Sequence, residues 1–294
     1  MAFNWQTFRT RTLTAAVFVV VMLAGLLINR WTFFILFSVI HFGCWWEYLK
    51  LIEKIYKTQI DVVTKYVLMT IGFVVFLFFG FPNTTFYMGP GDGPLNLKWL
   101  FYLLIFICIG AFLFQNKKVP LKARLLSAAG FIYISLSLGL MISFYDKSVI
   151  HFHDTVVIIT NGYFYPVFII ASLWVNDTMA YIVGSLIGKT QMSKISPKKT
   201  WEGTIGGVIL SVAVIFLLAQ YVFHFGIVSF GLMFLAAIAS IAGTFGDLLE
   251  SKLKRMAGVK DSGHIMPGHG GFLDRFDSLL VATPFVCLYV YFFM

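Results

Sequence analysis

Long runs of Phe, Leu, Ile and Val, separated by short polar links, fill the chain from residue 12 to its end. An α-helix needs about 20 apolar residues to cross a bilayer core. Nine runs reach or approach that length: 12–29, 31–49, 62–81, 99–115, 123–144, 163–188, 204–224, 228–248 and 278–294. Each is too long and too uniformly apolar for a barrel strand. The pattern predicts an all-α, polytopic membrane protein of about nine transmembrane helices. No inverted internal repeat is evident and no soluble domain is attached, so 1–294 reads as a single membrane domain.

Composition agrees: 59% of the 294 residues are hydrophobic, 12% are charged, and mean hydropathy is +0.86. The net charge of +9 could signal nucleic acid. Its distribution argues otherwise. With the N-terminus inside, all of the 22 Lys and Arg except Arg30, Lys98 and Lys147 fall in cytoplasmic segments. Retention of basic residues on the cytoplasmic side explains the charge and orients the chain. Arg9 and Arg11 precede the first run with no clear cleavage site, so that run reads as a span, not a removed leader. Cys44, Cys108 and Cys287 lie inside apolar runs, without metal-type spacing. The outside segments 82–96 and 146–162 read as connectors. His151 and His153 could share one side of a strand and bind a metal, but a solvated loop is the simpler reading.

Three stretches break the apolar pattern. In "WVNDTMAYIVGSLIGK", Asp177 falls about halfway along the sixth run. A carboxylate at helix centre costs about 2.5–3.5 kcal/mol on insertion scales, so it needs a partner or a wet cavity. Asp177, Tyr181, Gly184 and Gly188 share a helix face. That face suits a polar cavity wall, or close helix packing through small residues. Asn176 beside Asp177 favours the cavity. In "SKISPKKTWEGTIGG", Lys198 and Lys199 follow a stiffening Pro197; Thr200 can cap the next helix, with Glu202 in its first turn. Lysines beside a helix N-terminus suit an anion, although headgroup anchoring would also place lysines here.

The third stretch is "GTFGDLLESKLKRMAGVKDSGHIMPGHGGFLDRFDS". Asp247, Glu250, Ser251 and Lys254 form one stripe if the eighth helix continues to the membrane surface, and Asp274 and Asp277 share a face at the start of the ninth. Glycines between them let backbone approach a ligand. Carboxylates without a Cys or His set suit a hard cation such as Mg²⁺; Lys254, Arg255, Lys260 and Arg275 suit phosphate. Together they describe a metal–polyphosphate site better than a transport path.

At these residues the chain resembles the phosphatidate cytidylyltransferase (CDP-diacylglycerol synthase) family. Its signature stands here as Ser251, Lys254–Arg255, Lys260–Asp261, His269–Gly270–Gly271 and Asp274–Arg275–Phe276–Asp277. Met266 replaces the family's usual Leu, Ile or Phe, a volume-preserving change. Asn176–Asp177, Ala180–Tyr181, the block Ser196–Pro197–Lys198–Lys199–Thr200–Trp201–Glu202–Gly203 and Gly246–Asp247 match too. On this resemblance residues 1–160 are mainly scaffold spans, 163–278 the catalytic region and 278–294 the last span.

The resemblance implies CTP + phosphatidate → CDP-diacylglycerol + pyrophosphate, with Mg²⁺, at the cytoplasmic face of a bacterial inner membrane. It implies a dimeric protein whose metal centre is held by Asp247 and Asp274; Asp261 and Asp277 are further candidate ligands, with room for a second cation. Lys254, Arg255, Lys260 and Arg275 would act on phosphates. His269 would bind phosphate, protonate the leaving group, or only order its glycine turn. Asn176, Asp177, Ser196, Lys198, Lys199, Thr200, Glu202, Ser251, Gly270 and Gly271 would line the substrate site. Two rivals remain. A CTP-using kinase of a lipid alcohol would release CDP. A transporter would need ionisable residues at mid-depth in several spans.

Overall fold

Side-chain caps decide where several helices begin. Asn29 accepts from the Thr32 amide (2.9 Å) while Thr32 Oγ1 accepts from the Asn29 amide (3.2 Å), a reciprocal capping box. It separates α1 (Trp5–Leu27) from α2 (Arg30–Tyr56). Asp61 caps α3 (Val62–Gly80) through the Thr64 amide at 2.8 Å. The computed structural model describes residues 5–81, 106, 110, 119–146, 149–152, 155–158, 162–263 and 270–294. The remaining helices are α4 (Leu121–Ser143), α5 (Phe164–Ile187), α6 (Trp201–Val222), α7 (Val228–Met256) and α8 (Leu273–Phe293). A hairpin of β1 (Val149–Phe152) and β2 (Thr155–Ile158) precedes α5 and pairs His151 with Val156. Part of the expected connector is therefore a short antiparallel hairpin; His153 lies outside the described residues.

Helices α2 to α8 are long and apolar enough to cross a membrane, and α1 contributes a shorter apolar stretch, Thr12–Leu27. Of the nine expected spans, 99–115 lies outside the described residues save for Phe106 and Gly110. Large apolar side chains such as Ile205, Ile209, Phe285 and Leu288 face outward. That much outward apolar surface needs a lipid solvent. The chain is an integral membrane protein.

α2, α7 and α8 extend well past the hydropathy runs that announced them. α2 continues to Tyr56, α7 to Met256, and α8 starts at Leu273. The extra turns are polar; those of α7 and α8 carry Glu250, Lys254, Asp274 and Asp277. Lys254 and Arg255 sit in the last turn of α7, where cations oppose the helix dipole.

α2 runs through the core of the N-terminal half. Phe33, Phe37, Ile40, Cys44, Tyr48 and Leu51 recur at helical spacing and are buried. Its polar groups are matched by α4: Ser135, on a π-turn at Phe131–Leu136, accepts from Trp45 Nε1 at 2.8 Å and lies 3.0 Å from His41 Nε2. Tyr48 donates to the Leu126 carbonyl at 2.7 Å. In the C-terminal half α5 packs on α6, α6 on α7 and α7 on α8. Gly246 makes the last contact possible, since a Cβ there would stand 2.5 Å from the Asp277 carbonyl oxygen. Gly246→Ala is expected to cost about 1–3 kcal/mol through overpacking. A lowered thermal midpoint of the purified protein would show it.

Candidate active site

The loop between α5 and α6 is folded back on itself. Main-chain bonds link Met192 N to Lys199 O (2.9 Å), Trp201 N to Thr190 O (2.9 Å) and Lys199 N to Ser196 O (3.1 Å). Thr200 caps α6 through the Gly203 amide at 3.2 Å, as the sequence suggests. Glu202 turns back to accept from the Lys189 amide (3.2 Å) and the Thr190 amide (3.1 Å). It therefore ties the loop to the helix start, and its carboxylate is engaged with backbone.

This loop roofs a cavity of about 410 Å³. Asn176, Asp177, Tyr181 and Gly184 of α5 line one wall, Ser196, Lys198, Lys199 and Thr200 the roof, and Thr244 and Asp247 of α7 the far side. Asn176 is 2% exposed, its Oδ1 has no hydrogen-bond partner among the described residues, and its Nδ2 reaches Asp177 Oδ1 at 3.4 Å. The same α5 face also packs on α6: Ala180 and Gly184, which line the cavity, meet Gly203 closely enough to exclude a Cβ there. Lys199 forms an ion pair with Asp247 across the cavity.

Behind Asp247 lies a carboxylate cluster. One carboxylate oxygen each from Asp247, Glu250 and Asp277 lies within 4.8 Å of the others. Glu250 is fully buried and among the described residues its Oε1 lacks a hydrogen-bond partner; its other oxygen faces Lys254 in an ion pair. Asp277 is buried, and its Oδ1 accepts from the Ser278 amide at 2.6 Å. Ser251 donates to Asp247 Oδ1 at 3.3 Å. Three clustered carboxylates with an orphaned oxygen fit a hard cation.

Asp274 stands outside this cluster. Its Oδ1 accepts from Lys254 Nζ at 2.6 Å; its Oδ2 accepts from the Ser262 amide (2.8 Å), Ser262 Oγ (2.9 Å) and the Gly271 amide (2.8 Å). The expected pairing of Asp247 with Asp274 is thus indirect, running through Lys254 and Glu250. The physical reason is the loop before α8, whose amides and hydroxyl claim the Asp274 carboxylate. Asp277, one helical step on, turns to α7 instead. Gly270 takes a left-handed conformation (φ +83°), and a Cβ there would stand 2.6 Å from Asp274 Oδ2. Asp261, Arg255, Lys260 and Arg275 are exposed, and Asp261 is not part of the cluster. His269 lies outside the described residues.

Hydropathy reading missed Glu47, on α2. It is 4% exposed and accepts from Ser262 Oγ (2.6 Å) and the Phe272 (3.0 Å) and Leu273 (2.9 Å) amides. The signal was present: a lone carboxylate near the end of a long apolar run demands a partner. Ser262 offered no such signal.

The fold and site define a class: a helical integral membrane protein with lysines and a carboxylate trio gathered at helix ends. The chain belongs to the cytidylyltransferase family, whose model matches residues 9–293. It is 46% identical over 126 residues to a phosphatidate cytidylyltransferase of Staphylococcus saprophyticus, covering 42% of this chain and 48% of that one. It is 38% identical over 169 residues to the Staphylococcus epidermidis protein of that name, covering 56% and 63%. With the Bacillus subtilis protein it shares 45% identity over 115 residues, covering 39% and 42%. The chain thus spans about half the length of the curated relatives it matches.

Proposed function

We propose that the protein transfers CMP from CTP to phosphatidate, forming CDP-diacylglycerol and pyrophosphate for phospholipid synthesis. The observation that carries this reading is the cavity in which Lys198, Lys199 and Asp177 face Asp247, with Glu250 and Asp277 directly behind. Asp247, Glu250 and Asp277 would hold Mg²⁺, with Asp274 next to them, and a second cation has room beside Asp177. When bound, the metal supplies charge neutralisation for the phosphates.

The residues do the rest by placement. A phosphate oxygen of phosphatidate forms the new bond to the α-phosphorus of CTP, and the bond from that phosphorus to the bridging oxygen of pyrophosphate breaks. The nucleophile is already anionic near neutral pH, so a strong base is not required; positioning and electrostatics suffice. Lys199 pairs with Asp247 and lies on the cavity wall, so it can exchange that carboxylate for a phosphate oxygen. Lys198 is beside it. Arg255 and Arg275, exposed at the polar ends of α7 and α8, and the exposed Lys260 that follows α7 are placed to draw in the triphosphate.

The basic residues favour a cytoplasmic site, with the N-terminus on the same side, in a bacterial inner membrane. The resemblance supports a homodimer. The test is direct. Purified protein given CTP, phosphatidate and Mg²⁺ is expected to release pyrophosphate and form CDP-diacylglycerol, and a chelator is expected to stop it. Release of CDP instead would assign the chain to lipid-alcohol phosphorylation.

A further inference from the structure

We infer that Glu47, from the N-terminal half, is a positioning residue that holds Ser262 and the start of α8 in register with the site. Its carboxylate is the shared acceptor of three donors separated from it by more than two hundred residues. Oε1 takes the Phe272 amide; Oε2 takes the Leu273 amide and the Ser262 hydroxyl. The two amides are orphan donors at the N-terminus of α8, where a carboxylate also opposes the positive end of the helix dipole. Among the described residues α8 has no side-chain cap of its own from Phe272, so α2 supplies the function from outside.

Two glycines, Gly263 and Gly271, leave space for this carboxylate. A Cβ added at Gly263 or Gly271 would fall on the Glu47 side chain. One turn earlier on α2, a Cβ at Gly43 would fall on the Phe272 ring. Gly43 and Glu47, at i and i+4, make one cradle that seats the ring and binds the amides beside it. From Glu47 the contacts run on to the site: Ser262 Oγ lies 2.9 Å from Asp274 Oδ2, Asp274 pairs with Lys254, and Lys254 pairs with Glu250 of the carboxylate cluster. Glu47 touches neither the cavity nor the cluster. It acts through Ser262, Asp274 and the α8 terminus.

Glu47→Gln keeps the size and one accepting oxygen, but its NH₂ must face either the Phe272 or the Leu273 amide, donor against donor. Hydrogen exchange on the purified full chain reads the placement without reference to activity. Amides 271–273 are expected to exchange faster in Glu47→Gln while those deep in α8 keep their wild-type rates. Exchange unchanged at 271–273, or raised equally throughout α8, overturns the inference. The kinetic arm rests on the proposed transfer to phosphatidate. There kcat per folded protein is expected to fall about 10–100-fold, as for residues that orient a metal site from outside. Because Glu47 and Ser262 share one hydrogen bond, the Glu47→Gln/Ser262→Ala double variant is expected to lose less than the product of the two single losses. Multiplying losses overturn the inference. Glu53→Gln, a carboxylate on the same helix paired with Lys65, controls for loss of charge and is expected to leave kcat unchanged. If wild type forms no CDP-diacylglycerol, the functional reading fails while the exchange result still decides the role of Glu47.

Discussion

Asp247→Asn is expected to lower pyrophosphate release about 10²–10³-fold, the usual loss when one aimed charge is removed from a reacting centre. Asp247 belongs to both halves of the site: its side chain lines the cavity, and it contributes an oxygen to the cluster with Glu250 and Asp277. Asparagine keeps the shape and can still accept from Ser251, which donates to Asp247 at 3.3 Å. What it loses is the charge that would hold a cation and the charge that holds Lys199. Folding should change little, because the Lys199–Asp247 pair is partly solvated, with side chains 26% and 28% exposed, and such pairs contribute about 0–1 kcal/mol. The measurement is turnover at saturating CTP across a Mg²⁺ titration, alongside the thermal midpoint. A higher Mg²⁺ requirement at an unchanged midpoint is the expected pattern. Full activity at wild-type Mg²⁺ would remove the cavity from the chemistry.

The sequence carried the spans and the polar stretches because each depends on local pattern. Hydropathy found α2 to α8, and the i, i+3, i+4 spacing found the stripe of Asp247, Glu250, Ser251 and Lys254 on α7. Thr200 was legible as a cap because capping is local. What could not be read was the partner of each charge. Asp274 and Asp277 are three residues apart on one helix, yet one is taken by a loop and Lys254 and the other turns to α7. Spacing puts two carboxylates on a face; only the neighbouring element decides which donor each meets. Glu47 is the extreme case, bonded to a loop more than two hundred residues away. On the family resemblance residues 1–160 read as mainly scaffold, since a span with one carboxylate looks like any other span. In the structure α2 carries the carboxylate that meets Ser262 and the first amides of α8.

Lys254→Met is expected to be the most destabilising single change in the site. The Lys254 side chain is 13% exposed and lies between Glu250, at 0%, and Asp274, at 9%. Removing one partner of a buried pair leaves an uncompensated charge and costs about 3–5 kcal/mol; here two carboxylates lose their counterion together. Methionine matches the stem of lysine, so lost packing contributes little. The double variant Lys254→Met/Glu250→Gln should recover much of the lost stability, because it also removes the more deeply buried of the two charges. It should not recover turnover, since Glu250 is part of the cluster. Lys254→Arg separates charge from geometry. It keeps the charge, but the planar guanidinium must enter a space that seats a compact ammonium between two carboxylates. An intermediate loss of thermal midpoint with a larger loss of kcat is expected. Had Lys254 served only to bind phosphate, Lys254→Met would raise the KM for CTP and leave the midpoint where it was. The melting curve of that one variant therefore decides whether Lys254 is held by the protein or reserved for the substrate.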